Sequence, residues 1–77
     1  MHIHYAELRG PGQWQRLSEY ADLLRQLPGF LGAELLQSPE QPGLALLASR
    51  WQQRPTLPPL PGAKAWSFEV CARWEPS

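Results

Sequence analysis

The stretch Phe30–Trp51, "FLGAELLQSPEQPGLALLASRW", decides the fold, because it contains two apolar runs separated by a segment that favours a turn. The runs are Phe30–Gln37 and Leu44–Trp51, and each has the length of an ordinary strand. The intervening Ser38–Gly43, "SPEQPG", consists of proline, glycine and polar residues. The stretch therefore predicts a β-hairpin.

The segment before this hairpin has apolar residues at the spacing of a helix. Between Gln13 and Leu27, apolar residues recur at steps of three and four, which predicts an amphipathic α-helix. Pro28 cannot continue a helix, and Gly29 suits the chain that leaves one. The predicted apolar stripe comprises Trp14, Leu17, Tyr20, Ala21, Leu23, Leu24 and Leu27.

Two further strands complete the predicted fold. His2–Leu8 reads as a first strand, and Ala65–Trp74 alternates in the manner of a last one. The order strand, helix, strand, strand, strand predicts an α+β fold of the ferredoxin-like split βαβ type. We expect an antiparallel sheet in the spatial order 4-1-3-2.

A proline-rich segment joins the third and fourth strands. Gln52–Gly62, "QQRPTLPPLPG", has four prolines within seven residues. In a 4-1-3-2 sheet these two strands are parallel, so the chain must return along the sheet, about 26 Å for eight residues. Ten residues of polyproline II span about 31 Å, which predicts an extended crossover over 52–64 in place of a second helix. We expect Leu57 and Leu60 to rest on the sheet near Trp51 or Trp66.

The same segment has a second interpretation. "PTLPPLP" contains two overlapping PxxP patterns, which are typical of ligands for aromatic-groove domains. Rigid connectors share this composition.

Composition narrows the function classes. The 77 residues predict one domain over 1–77, and seven acidic residues balance seven basic ones. No basic stripe appears, so neither nucleic acid nor a membrane surface is an expected partner. There is one cysteine, no signal-peptide pattern and no apolar run of about 20 residues, and we expect a cytoplasmic protein. The chain is 43% hydrophobic, and so short a domain buries little of it alone, which favours a homodimer.

The segment Leu27–Trp51 resembles the antibiotic biosynthesis monooxygenase domain. The resemblance rests on the Pro-Gly-Phe-Leu-Gly start of the second strand, the Pro-Gly turn and the tryptophan that closes the third strand. It implies a dimeric α+β barrel, in which two four-stranded sheets face each other and the helices lie outside. Members of the family include oxygenases of polyketide anthrones or quinols that need no metal or flavin, and others that degrade haem.

The family's site residues transfer poorly to this chain. By resemblance, Trp51 matches a site tryptophan of the anthrone oxygenases. Leu47 stands where they have an asparagine, and Leu35 where they have a tyrosine. The haem-degrading branch has an asparagine near the position of Glu7 and a histidine in the helix that is missing here. Each polar group that stabilises developing charge is worth about 3 kcal/mol, so most rate enhancement should be lost.

Strand parity predicts the two faces of the sheet. If the family pattern holds, Leu47 and Trp51 face the helix. The residues expected beside them are Ile3, Tyr5, Leu31, Ala33, Leu35, Trp66, Phe68, Val70 and Trp74. Those expected on the opposite face are His2, His4, Phe30, Glu34, Leu36, Leu44, Leu46, Arg50, Glu69, Cys71 and Arg73. Because both faces carry apolar residues, the pattern favours burial on both sides and hence a dimer.

Two function hypotheses follow, and neither assigns a catalytic residue. The first is a cofactor-independent monooxygenase or a binder of a hydrophobic or aromatic small molecule, with no cofactor. The expected pocket residues are Trp51, Tyr5, Tyr20, Leu35 and Leu47. The alternative is a structural or interaction homodimer of the same type whose pocket has closed. A cavity beside Trp51 would favour the first hypothesis, and a solid core there the second.

One polar constellation carries a third hypothesis. His2 and His4 share a face of the first strand, and Glu69 and Cys71 share a face of its expected neighbour. Imidazole, carboxylate and thiolate groups are ligands of zinc, and a histidine could also activate Cys71 as a nucleophile. A hydrogen-bond network at the dimer interface would use the same residues.

Overall fold

The computed structural model describes all 77 residues and confirms the predicted α+β fold. The elements are β1 (His2–Arg9), α1 (Gln13–Leu24), β2 (Phe30–Gln37), β3 (Leu44–Trp51) and β4 (Lys64–Glu69). All strand pairs are antiparallel, and the spatial order is β2-β3-β1-β4. The one helix, α1, is too short and too polar to cross a membrane.

The hairpin has the predicted bounds. In its turn, the Ser38 hydroxyl accepts a hydrogen bond from the Gln41 amide at 3.2 Å, and Gly43 adopts a φ of 86°. A β-bulge between Phe30 and Gly32 shifts the register of β2. Gly32 has a φ of 152°, and the guanidinium of Arg50 occupies the space that a Cβ would need. The guanidinium could move aside, but residues with a Cβ rarely adopt this φ, so the bulge favours glycine here.

The helix ends three residues before the predicted bound. The amides of Gln26 and Leu27 bond to carbonyls three residues earlier, so the last turn tightens before Pro28. Leu17, Tyr20 and Leu24 are buried against the sheet. Trp14 and Leu23, which were predicted to belong to the apolar stripe, are each 47% exposed.

β4 is shorter than predicted, because it lies at the sheet edge and β1 is its one neighbour. Glu69 pairs with His2, and the Val70 amide donates to the Met1 carbonyl at 3.0 Å. Beyond Val70 no residue of β1 remains to pair with, and the alternating residues up to Trp74 lie outside the strand. Trp74 is 88% exposed.

The proline-rich segment forms the predicted extended crossover. No helix or strand occurs between Trp51 and Lys64. Leu57 and Leu60 pack against the buried cluster that contains Trp51. The Tyr20 hydroxyl donates to the Pro58 carbonyl at 2.5 Å, and the Arg16 guanidinium donates to the Pro61 carbonyl. Two side chains of α1 therefore hold the crossover over the sheet.

The register corrects the predicted faces of β1 and β4. β3 pairs with β1 so that Trp51 lies opposite His2 and Leu47 opposite Ala6. Even-numbered residues of β1 therefore share the helix-covered face with odd-numbered residues of β3. Ile3, Tyr5, Trp66 and Phe68, which were predicted on the helix side, lie on the other face, called here the open face.

The register and the bulge also decide the remaining predicted faces. His2, His4 and Glu69 lie on the helix side and not on the open face, since His2 pairs with both Trp51 and Glu69. The bulge brings Phe30 against Trp51 and leaves Leu31 48% exposed. The assignments that the register confirms are Ala33 and Leu35 on the helix side, and Glu34, Leu36, Leu44, Leu46 and Arg50 on the open face.

The docking of the crossover generates a stability prediction. Tyr20→Phe removes the donor to the Pro58 carbonyl, and we expect the free energy of unfolding to fall by about 1 kcal/mol. Urea denaturation followed by circular dichroism measures this change. Tyr5→Phe is the matched control, since no hydrogen bond within the chain involves its hydroxyl. Equal effects of the two substitutions would contradict a role for the Tyr20 hydroxyl in holding the crossover.

Candidate functional site

Trp51 is anchored on the helix side of the sheet. Its side chain is 1% exposed, and its Nε1 donates to the Ser49 hydroxyl at 2.9 Å. Ser49 in turn donates to the His4 carbonyl at 3.3 Å. The ring of Phe30 meets the indole edge-on, with centroids 5.3 Å apart. These contacts fix the orientation of the indole, so whatever surface it presents is preorganised.

A cavity lies beside this indole. It has a volume of about 390 Å³ and lies between the α1–β2 turn, the end of β3 and the start of the crossover. Its lining residues are Leu27, Pro28, Gly29, Trp51, Gln52, Gln53, Arg54, Pro55, Thr56 and Leu57. We call it the Trp51 cavity.

A smaller cavity lies under the middle of the crossover. It has a volume of about 210 Å³, and its lining residues are His4, Ala6, Tyr20, Leu57, Pro58, Pro59, Leu60, Ala63 and Ala65. We call it the His4 cavity. The two cavities have one lining residue in common, Leu57.

His4 is the titratable group of greatest interest in these cavities. Its Nδ1 is enclosed and has no hydrogen-bond partner. Burial lowers the pKa of His4 below its usual 6.5, because desolvation disfavours the imidazolium. The flanking residues in the sheet are Ser49 on β3 and Ser67 on β4, which bring no charge to the ring. Burial therefore favours the neutral form of the ring.

The predicted pocket residues do not form one group. Trp51 lines the larger cavity and Tyr20 the smaller one. Leu35 and Leu47 face each other across β2 and β3 within the apolar core and line neither cavity. Tyr5 lies on the open face, where its ring meets Phe68 edge-on at 5.6 Å. The register separates Tyr5 from Trp51 by the thickness of the sheet.

The four residues of the metal hypothesis are not assembled into a metal site. No group of three or more histidine, cysteine, aspartate or glutamate side chains is arranged to hold a metal ion. His2 and Glu69 pair across β1 and β4, but Glu69 is exposed. Cys71 lies beyond the end of β4, and its exposed thiol contacts the Glu69 carbonyl at 3.5 Å. The shortening of β4 is the physical reason that Cys71 is not positioned by the sheet.

Sequence reasoning missed the place of His4 in a cavity. Parity had assigned it to the opposite face, together with His2. A signal was present, because the small residues Ala6 and Ala65 flank the position in the sheet and leave space beneath the prolines. These small residues indicate a cavity next to His4 only once the register of β1 is known.

The fold and the cavities define a small α+β protein with a split βαβ sheet, one face covered by a helix and an extended crossover, and one face open. The family model for antibiotic biosynthesis monooxygenases matches residues 14–57, which is more than half of the chain. The chain belongs to this family, whose domain is a member of the dimeric α+β barrel superfamily. A comparison with curated proteins found no match.

The buried imidazole generates a prediction for pH dependence. Because the pKa of His4 is lowered in the folded state, protons bind more readily to the unfolded chain. The contribution of the neutral ring is therefore present above pH 6.5 and is lost as the pH falls through the folded-state pKa. We expect wild type to lose stability in acid more steeply than His4→Gln, as measured by urea denaturation at a series of pH values.

His2→Gln is the matched control for this comparison, because it removes the other histidine of the same strand. This variant should keep the acid-dependent loss that His4→Gln reduces. Identical pH profiles for wild type and His4→Gln would show that the burial of His4 does not couple to folding.

Proposed function

We propose that this chain is a homodimeric protein of the antibiotic biosynthesis monooxygenase family that binds a small hydrophobic or aromatic molecule in the Trp51 cavity, without a metal or flavin. The observation that carries the proposal is the immobilised indole of Trp51 in the wall of a cavity of about 390 Å³. Pockets for small molecules have volumes of roughly 300–1,000 Å³ and are lined by apolar and aromatic groups. Leu27, Trp51 and Leu57 are the hydrophobic residues of this lining.

The cavity supports binding better than it supports oxygenation. A cofactor-independent oxygenase needs polar groups that orient the substrate and stabilise the charge that develops on it. The positions that resemble the family's asparagine and tyrosine sites are Leu47 and Leu35, and both pack in the apolar core. An oxygenase reaction would therefore depend on an electron-rich substrate that reduces oxygen by itself.

A second candidate function is a structural homodimer with a closed pocket. The observation that favours it is that Trp51 is 1% exposed. Its Nε1 already donates to Ser49, and its ring already packs against Phe30. On this reading the cavity is a surface groove without an occupant. The two candidates differ in whether a small molecule binds beside Trp51.

Self-association is proposed through the open face of the sheet. Leu36, Trp66 and Phe68 on this face are 43%, 45% and 55% exposed. Large exposed apolar side chains on one face of a sheet mark an interaction site when they form a patch with the apolar residues between them. We propose that a second copy of the chain covers this face, because the family belongs to the dimeric α+β barrel superfamily. We also propose that the protein acts in the cytoplasm, where its exposed, free Cys71 would stay reduced.

A ligand experiment tests the binding proposal. Thr56 is exposed and lines the Trp51 cavity but not the His4 cavity, so Thr56→Trp should fill the former with little effect on the fold. We expect 1-naphthol to bind wild type and Thr56→Ser alike, and to bind Thr56→Trp about tenfold or more weakly. Ligand-observed NMR gives the affinities. Absence of binding to wild type would favour the structural homodimer, and equal binding to Thr56→Trp would exclude this cavity as the site.

A second experiment tests the dimer. Phe68 is the most exposed of the three side chains Leu36, Trp66 and Phe68, so Phe68→Lys places a charge on the open face, and burying an unpaired charge in an interface is costly. We expect wild type to be a dimer in multi-angle light scattering and Phe68→Lys to be a monomer. Leu23→Lys is the matched control, because Leu23 is 47% exposed on α1, away from the open face, and should leave the dimer intact. A monomeric wild type at micromolar concentration would refute the proposed interface.

A further inference from the structure

We propose that the ion pair between Glu34 and Arg50 lies inside the self-association interface and determines its specificity: Glu34 neutralises Arg50, so that the apolar face of a second copy can cover both. The inference rests on the proposed homodimer through the open face. The observation behind it is an arginine that is paired with a carboxylate and seated at a glycine bulge, among the residues of that face.

The backbone of β2 provides a seat for the guanidinium. Gly32 pairs with Arg50 at the bulge, and the guanidinium lies where a Cβ of residue 32 would be. One of its N–H groups donates to the Glu34 carboxylate, and the others donate to no acceptor within the chain. The bulge and Glu34 therefore hold the guanidinium against the sheet, and its remaining donors are free for acceptors on a second copy.

The register places the pair in the same rows of the sheet as the exposed aromatic side chains. One row consists of Gly32, Arg50, Ile3 and Phe68, and the next consists of Glu34, Ala48, Tyr5 and Trp66. Four strands at a spacing of about 4.8 Å make each row about 14 Å wide. A standard interface buries about 800 Å² on each partner, which corresponds to roughly 28 Å on a side. A second copy seated on Trp66 and Phe68 therefore covers Glu34 and Arg50 as well.

The pair contributes little to the stability of the single chain, because both partners are solvated. The side chain of Arg50 is 35% exposed, and that of Glu34 is 53% exposed. Exposed ion pairs of this kind have little effect on stability. In a covered interface, however, an unpaired charge is very costly, whereas a paired one is tolerated. The effect of Glu34 should therefore appear in the dimer and not in the fold.

The charges of the open face suit a second copy better than a strongly charged partner. Its two carboxylates, Glu7 and Glu34, each pair with an arginine of the same chain, since Glu7 lies 3.7 Å from Arg9. Lys64, at the start of β4, is the one charged residue of this face outside an ion pair. Charges balanced in this way create no large field of one sign that would attract an acidic or a basic surface.

The test compares dimer dissociation constants from sedimentation equilibrium. Glu34→Gln keeps the size of the side chain but leaves Arg50 without a counter-charge, and we expect it to weaken the dimer about a hundredfold or more. Arg50→Gln leaves Glu34 uncompensated and should weaken the dimer to a similar degree, so the inference stays testable if one variant does not fold. Glu34→Leu combined with Arg50→Met removes both charges, and this double variant should dimerise within about tenfold of wild type.

Asp22→Asn is the matched control. It removes a carboxylate from the exposed pair with Arg25 on α1, away from the open face, and should leave the dimer unchanged. Two results would overturn the inference and leave the proposed dimer intact: single variants that dimerise as tightly as wild type, or a double variant weakened as much as the single ones. A monomeric wild type would instead refute the proposed interface, and the inference with it.

Discussion

The register of β1 against β3 is the constraint on which the rest of the structure depends. Pairing His2 with Trp51 places the even-numbered residues of β1 under the helix and its odd-numbered residues on the open face. β4 then takes its own register from β1, so Trp66 and Phe68 join Tyr5 on the open face. A shift of one residue would exchange the faces. The same pairing therefore places His4 in the lining of a cavity and places Tyr5, Trp66 and Phe68 on the face of the proposed interface.

After the register, the crossover has the largest effect on the helix-covered face of the sheet. The crossover contains neither helix nor strand, and its prolines lack an amide that could donate, so few of its carbonyls are paired within the segment. Tyr20 and Arg16 of α1 supply donors to two of these carbonyls. An extended segment is also thinner than a helix. It covers the sheet through Leu57 and Leu60 and leaves open space at the Trp51 end and above His4.

Much of the fold could be predicted from the sequence, because its signals are local. Phe30–Gln37 and Leu44–Trp51 are bounded by proline and glycine, and the structure reproduces both bounds. The faces of β1 and β4 could not be predicted, since alternation gives two faces without saying which one the helix covers. The end of β4 was missed because it depends on where β1 begins. The site followed the same rule: Trp51 could be named as a cavity residue from the resemblance, whereas His4 needed the register.

An extended crossover and a helix would fill the space above the sheet differently. A helix in place of Gln52–Ala63 would satisfy its own backbone groups and fill the space above Ala6 and Ala65 with side chains. The proline-rich segment satisfies fewer groups and is rigid in the unfolded chain as well, so it costs less conformational entropy to order. The protein therefore keeps its core with fewer residues while exposing Leu57 to two cavities. The open space beside Trp51 and beneath the middle prolines is therefore a consequence of the extended crossover.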